Sequence, residues 1–121
     1  MILGLGLDLC RIERIAQAVE RPRFLDHVYT PRERSRILAA SPPRRGEIAA
    51  GLFAAKEAVA KALCTGFSGF GPADIEILPD ASGRPVCTLH GGAKDRSGGG
   101  RVWVSVTHEA GMAAATAVLE A

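Results

Sequence analysis

The chain has 121 residues, 47% of them hydrophobic and 23% charged, with a net charge of +2. That is the composition of one globular domain, residues 1–121, long enough to bury a core without staples. It excludes a disordered tail, and the small net charge argues against bulk nucleic-acid binding. No apolar run approaches the ~18 residues of a membrane span. The first eight residues, Met1 to Asp8, lack the positive leader of a secretory signal. Cys10, Cys64 and Cys87 are odd in number and lack zinc spacing. They read as free thiols in a reducing, cytoplasmic setting.

Ile2 to Leu9 is apolar at nearly every position and reads as a buried strand with Asp8 at its end. Ile12, Ile15, Ala16 and Val19 have helical spacing, so a helix is expected over 10–20, ended by Pro22. Thr30-Pro31-Arg32-Glu33 has the form of a capping box with proline in the first turn, and starts a second helix. Ser41-Pro42-Pro43 stops it. A long helix follows from about Arg44 to Leu63, with Ile48, Leu52, Phe53, Ala60 and Leu63 as its apolar stripe, closed by Thr65-Gly66. The stretch 67–72 reads as loop.

Asp74 to Leu78 alternates like a strand, and Asp80 to Pro85 has turn chemistry. Val86 to Leu89 then completes a hairpin. Lys94 to Gly100 reads as a polar, glycine-rich connection. Val102 to Thr107 is a strand with Val102, Val104 and Val106 on one face and Trp103, Ser105 and Thr107 on the other. Ala110-Gly111 turns the chain into a last strand, Ala113 to Leu119. A leading strand, then helices, then mostly antiparallel strands define an α+β fold.

Charge is unevenly placed. Residues 11–45 hold nine arginines against four acids. Such a run is either a solvated helical surface or a docking face for an acidic partner. Glu57 and Lys61 are four apart on the long helix, which suits an exposed ion pair. The alanines around them also let a ligand or a neighbouring backbone come close. Asp8 can cap the next helix or, with a helical carboxylate, hold Mg²⁺, an ion content with one or two carboxylates plus water and phosphate. Lys61 could then reach a phosphate oxygen. His108 ends a strand and reads as a turn histidine or a ligand contact; His27 and His90 read as surface residues. Gly4-Leu5-Gly6 lacks the third glycine of a dinucleotide fingerprint.

Three blocks, in order, carry a family resemblance: Gly4-Leu-Gly-Leu-Asp8 with the helix through Arg14-Ile15; Phe53-Ala-Ala-Lys-Glu57-Ala-Val-Ala-Lys61-Ala-Leu-Cys-Thr-Gly66; and Val104-Ser-Val-Thr-His108. Together they resemble the holo-acyl-carrier-protein synthase family of small phosphopantetheinyl transferases, over essentially the whole chain. The resemblance implies transfer of the 4′-phosphopantetheine arm of coenzyme A to a serine of apo-acyl carrier protein, with release of adenosine 3′,5′-bisphosphate. It implies Mg²⁺ held by Asp8 and Glu57, with Glu57 and Lys61 catalytic. Glu57, acting through a bound water, is the candidate base. Coenzyme A would meet Arg44, Lys61, Gly66, Gly83, Arg84, Pro85, Thr107 and His108. Arg14, Arg21 and Arg23, with Phe24 as an apolar anchor, match the family's docking helix for the acidic carrier. The family's fold is an α+β subunit of a homotrimer with active sites between subunits. In that arrangement the Ser105 strand could meet the alanine-lined helix across an interface. Leu52 departs from the pattern, standing where members often carry an arginine, a loss that Arg44 and Arg45 could offset. A non-catalytic module binding nucleotide or carrier, and an Mg²⁺-dependent phosphate hydrolase, are the competing readings.

Overall fold

A computed structural model describes residues 1–63 and 66–121. The elements in chain order are β1 (Ile2–Arg11), α1 (Ile12–Ala18), α2 (Pro22–Val28), α3 (Pro31–Ala39), α4 (Pro42–Ala62), a 3-10 turn (Pro72–Asp74), β2 (Ile75–Pro79), β3 (Pro85–Leu89), α5 (Gly91–Ser97), β4 (Arg101–Glu109) and β5 (Met112–Glu120). β1, β5 and β4 form an antiparallel sheet in that order, and β2 and β3 form a hairpin. The α+β class follows as expected, with α4 as the hub against which sheet and helices pack.

α4 is buried almost all round. Ala49, Ala50, Ala54, Ala55, Ala58, Ala60 and Ala62 are fully inaccessible. The expected apolar stripe, with Leu52, Ala60 and Leu63 buried and Ile48 and Phe53 half-buried, is widened by a sheath of small residues. A helix enclosed between a sheet and other helices keeps little polar surface, here chiefly at Arg44, Glu47, Glu57 and Lys61. β5 answers with Ala113, Ala115 and Ala117, all buried. On β1, a Cβ at Gly4 or Gly6 would overlap the carbonyl oxygens of Ala62 and Ala58. These glycines exist so that helix and strand backbones can touch.

β1 is not buried on both faces. Leu3, Leu5, Leu7 and Leu9 are 47–67% exposed. Only the alternate face, Gly4, Gly6, Asp8 and Cys10, meets α4, because an antiparallel sheet covered by one helix keeps an open side. The open side continues through Val118, opposite Leu5 on β1 and Trp103 on β4. Trp103 lies between the guanidinium groups of Arg101 (4.3 Å from the ring centre) and Arg84 (5.8 Å), and its Nε1 donates to Glu120 at 3.0 Å.

Several boundaries move. β1 runs on to Arg11, so α1 is shorter than the expected 10–20 helix. Pro22 opens α2 rather than only closing α1, and Pro42 opens α4. In both cases proline occupies the first turn, where its missing N–H costs nothing. β2 starts at Ile75 because Asp74 belongs to the preceding turn, accepting from the Gly71 N–H at 3.1 Å. Residues 91–97 form α5, overlapping the connection expected from Lys94 to Gly100, and Gly98 ends the helix in the left-handed region (φ 60°). Its Ala93 is fully buried, so packing supplied a helix that composition hid. The expected closure of α4 at Thr65, and the reading of Cys64 as a free thiol, lie outside the described residues.

The box at Thr30 forms as expected: its Oγ accepts from Glu33 N–H at 3.3 Å and its N–H donates to Glu33 Oε1 at 2.9 Å. Glu33 does more than cap. It is fully buried and its Oε1 lies 2.7 Å from Lys56 Nζ, itself 1% exposed. Lys56 also donates to the carbonyls of Pro72 (2.9 Å) and Ile75, while Glu33 Oε2 accepts from Ile77 N–H at 2.8 Å. One ion pair thus ties α3, α4 and β2 together.

Candidate active site

The first cluster of candidate residues forms where β1 crosses α4. The pleat puts Asp8 on the face of Gly4 and Gly6, so the close approach that those glycines permit brings its carboxylate to the helix. Lys61, one turn after Glu57, donates from Nζ to Leu7 O at 2.9 Å and to Asp8 Oδ1 at 3.3 Å. The Glu57 pKa is raised, first by desolvation and next by the charge of Asp8, against smaller lowering effects from Lys61 and Arg14. Two carboxylates thus share a field that the neighbouring cations do not balance. That is a setting in which a divalent cation is welcome. Among the described residues no cluster of three or more acidic, histidine or cysteine side chains forms. Asp8 and Glu57 offer two carboxylates, and Mg²⁺ usually takes one or two with water and phosphate completing its sphere.

Arg14 of α1 stands beside this pair, its guanidinium 5.6 Å from the centre of the Phe53 ring. Phe24 stacks on the other partner of that contact, 6.0 Å from Phe53 at 29°. It also meets Tyr29 edge-on. The expected docking anchor is therefore half-buried, while Arg14, Arg21 and Arg23 are exposed. The basic face and the carboxylate pair are neighbours.

A second cluster lies toward the other end of α4. A cleft of about 230 Å³ is bordered by Arg44, Leu52, Gly83, Pro85 and His108. His108 Nδ1 is 3.3 Å from Glu47 Oε2, a partner that sequence reasoning missed. Nothing local signals a pair separated by 61 positions. Leu52, 4% exposed, helps form the apolar floor. Arg45 does not replace the missing arginine, because its guanidinium donates to the carbonyls of Ala40 and Leu38, each at 3.0 Å. Arg84 turns away toward Asp80 (3.5 Å) and the Trp103 ring. Thr107 alternates to the open side of the sheet, apart from the cleft. Gly66 follows α4 with φ 57°. Glu47 and Glu57 are ten residues apart on one helix, about 15 Å along its axis. The two clusters therefore do not converge within one chain.

Comparison with known proteins gives this arrangement a family. Residues 4–116 match the family model of the 4′-phosphopantetheinyl transferase superfamily. A holo-[acyl-carrier-protein] synthase of Solidesulfovibrio magneticus is 50% identical, with 99% of both chains covered. One of Clostridium novyi is 44% identical, over 99% of this chain and 88% of the relative. Among solved structures, the Bacillus anthracis holo-(acyl-carrier-protein) synthase in complex with CoA (3′,5′-ADP) superposes with a TM-score of 0.87 at 32% identity. That match covers 100% of this chain and 98% of the other. The Helicobacter pylori holo-[acyl-carrier-protein] synthase in complex with coenzyme A gives 0.82 at 30%, covering 96% and 99%. With the family model spanning nearly its full length and relatives at up to half identity, the chain belongs to the 4′-phosphopantetheinyl transferase superfamily.

Proposed function

We propose that the chain is a holo-acyl-carrier-protein synthase, a single transferase domain spanning residues 1–121. It moves 4′-phosphopantetheine from coenzyme A to a serine hydroxyl of apo-acyl carrier protein and releases adenosine 3′,5′-bisphosphate. The observation that carries this reading is the Asp8–Glu57–Lys61 constellation, built by a glycine-permitted strand–helix contact in a chain of this family. In the reaction the serine oxygen bonds to the phosphorus of the pantetheine arm. The phosphoanhydride bond to the nucleotide breaks, and the serine proton passes by way of a water to Glu57. Lys61, already placed beside Asp8, donates to a diphosphate oxygen as negative charge moves to the leaving group. Asp8 and Glu57 would hold Mg²⁺, which supplies charge neutralisation at the diphosphate. Arg44, His108 and the Gly83–Pro85 loop receive the nucleotide end.

The uncovered face of Leu5, Leu7, Leu9, Val118 and Trp103 is an apolar patch that favours assembly with copies of this chain. A homotrimer would let the cleft of one subunit complete the carboxylate pair of another, which explains why the two clusters stand apart in a single chain. Among the described residues no helix is long and apolar enough to cross a membrane, and we place the enzyme in the cytoplasm.

The test is the intact mass of an apo-acyl carrier protein after incubation with this protein, coenzyme A and Mg²⁺. A gain of one phosphopantetheine supports transfer, and excess chelator should abolish it. Full activity in chelator would remove the metal from the mechanism. Coenzyme A binding without any mass gain would favour the non-catalytic module. Arg23→Glu should raise the KM for carrier about tenfold and leave that for coenzyme A within about twofold, because exposed charge acts on encounter. Arg14→Glu is the less clean reversal, since Arg14 also acts on the pKa of Glu57. Equal effects of Arg23→Glu on both substrates would count against the docking face.

A further inference from the structure

The cleft bordered by Arg44 and His108 has a second arginine on its rim, Arg36 in the last turn of α3. The arginines around it are committed. Arg32 faces Glu76 at 3.9 Å, Arg34 donates to Tyr29 O at 2.6 Å and faces Asp26 at 3.6 Å, and Arg45 caps the end of α3. Among the described residues neither Arg36 nor Arg44 has a hydrogen bond or ion pair from its side chain. The single acid on the cleft, Glu47, is engaged by His108. Between them lies an apolar floor that includes Leu52, Ile77, Val106 and Pro85. Two uncommitted guanidinium groups from different helices, over an apolar floor with its one acid already paired, describe a seat for a flat ring carrying an anion.

We propose that Arg36 is a specificity-determining residue for coenzyme A, gripping its 3′-phosphate together with Arg44. This rests on the transferase reading above. In the assembly proposed above, the diphosphate of coenzyme A sits at Asp8, Glu57 and Lys61 of an adjoining copy, where it reacts, because the two clusters of one chain stand about 15 Å apart. The phosphate left for a separate pair of cations is the one on the ribose. An arginine fork suits it, because the planar guanidinium can donate twice to one phosphate.

The experiment compares wild type with Arg36→Gln and Arg36→Lys, using coenzyme A and 3′-dephospho-coenzyme A as donors. Arg36 is exposed, so the denaturation midpoint should not move. Arg36→Gln should raise the KM for coenzyme A about tenfold, the scale of one charge-assisted contact at a solvent-open site. It should leave kcat and the KM for carrier within about twofold, and Arg36→Lys should recover part of the loss. Affinity for adenosine 3′,5′-bisphosphate, measured by calorimetry on the unreacting protein, should fall by the same factor. The KM for dephospho-coenzyme A should be the same in wild type and variant. An unchanged KM for coenzyme A would overturn the proposal. So would an equal loss with both donors, because it would place Arg36 on the diphosphate. Failure of the transferase reading itself would show separately, as absence of transfer by the wild-type enzyme.

Discussion

Glu33→Ala is expected to destabilise the fold by about 3–5 kcal/mol, read as a shift in urea midpoint at unchanged slope. The cost comes from what remains. Lys56 is 1% exposed, and burial already lowers its pKa against the raising effect of Glu33. Without the carboxylate its ammonium keeps the carbonyls of Pro72 and Ile75 and the face of the Tyr29 ring, but no negative charge in direct contact. The Thr30 and Ile77 N–H groups lose their acceptor as well. Replacing both members, Glu33→Met with Lys56→Met, should recover much of the loss, since two apolar side chains of similar length carry no unpaired charge. A single-variant cost under about 1 kcal/mol would mean that the pair is not what joins α3, α4 and β2.

Glu57→Ala should lower transfer by about 10³-fold or more while the circular dichroism spectrum stays native, because in the proposed mechanism one change removes a metal ligand and the base together. Glu57→Gln separates chemistry from folding. A carboxylate whose folded pKa lies above its unfolded value contributes its full stabilisation only below the unfolded value. That contribution is lost as pH rises through the folded pKa. At neutral pH without Mg²⁺ the charged Glu57 therefore strains the fold beside Asp8. Glu57→Gln should raise the apo-protein's melting temperature at pH 7 and make no such difference near pH 4. A matching fall in stability at both pH values would show Glu57 to be structural. Unchanged turnover would take it out of the reaction.

What could be read in the sequence is what local chemistry settles. The Thr30 box, the Asp80 turn and the alternation of β4 each depend on neighbours within a few residues, and each forms as expected. The Asp80 carboxylate accepts from the Ser82 and Arg84 N–H groups at 2.8 and 3.0 Å. Ala110 and Gly111 both take positive φ, 53° and 78°, as a tight hairpin requires. Asp8, Glu57 and Lys61 were legible as a set only because motif order tied a strand to a helix about 50 residues on. Other features had no local signature. Lys56 looks like one more charge on a helix until Glu33, 23 positions earlier, arrives beside it. His108 and Glu47, 61 positions apart, are more distant still. α2 and α5 are seven-residue helices, too short to form alone and held by what they pack against. The leucines of β1 looked like core because apolarity does not distinguish a buried face from one that a further copy would cover.

Trp103 is the chain's single tryptophan, and it stands 39% exposed on that open face. The protein therefore carries its own optical probe. Burial of the face on assembly would move the indole from water to an apolar contact, so its emission should shift to the blue as concentration rises through the assembly range. Arg84, which rests against the same ring, belongs to the loop that borders the cleft. Nucleotide that draws Arg84 away would change the quantum yield at constant wavelength. Colour would then report association and brightness would report ligand, both read from an unlabelled sample.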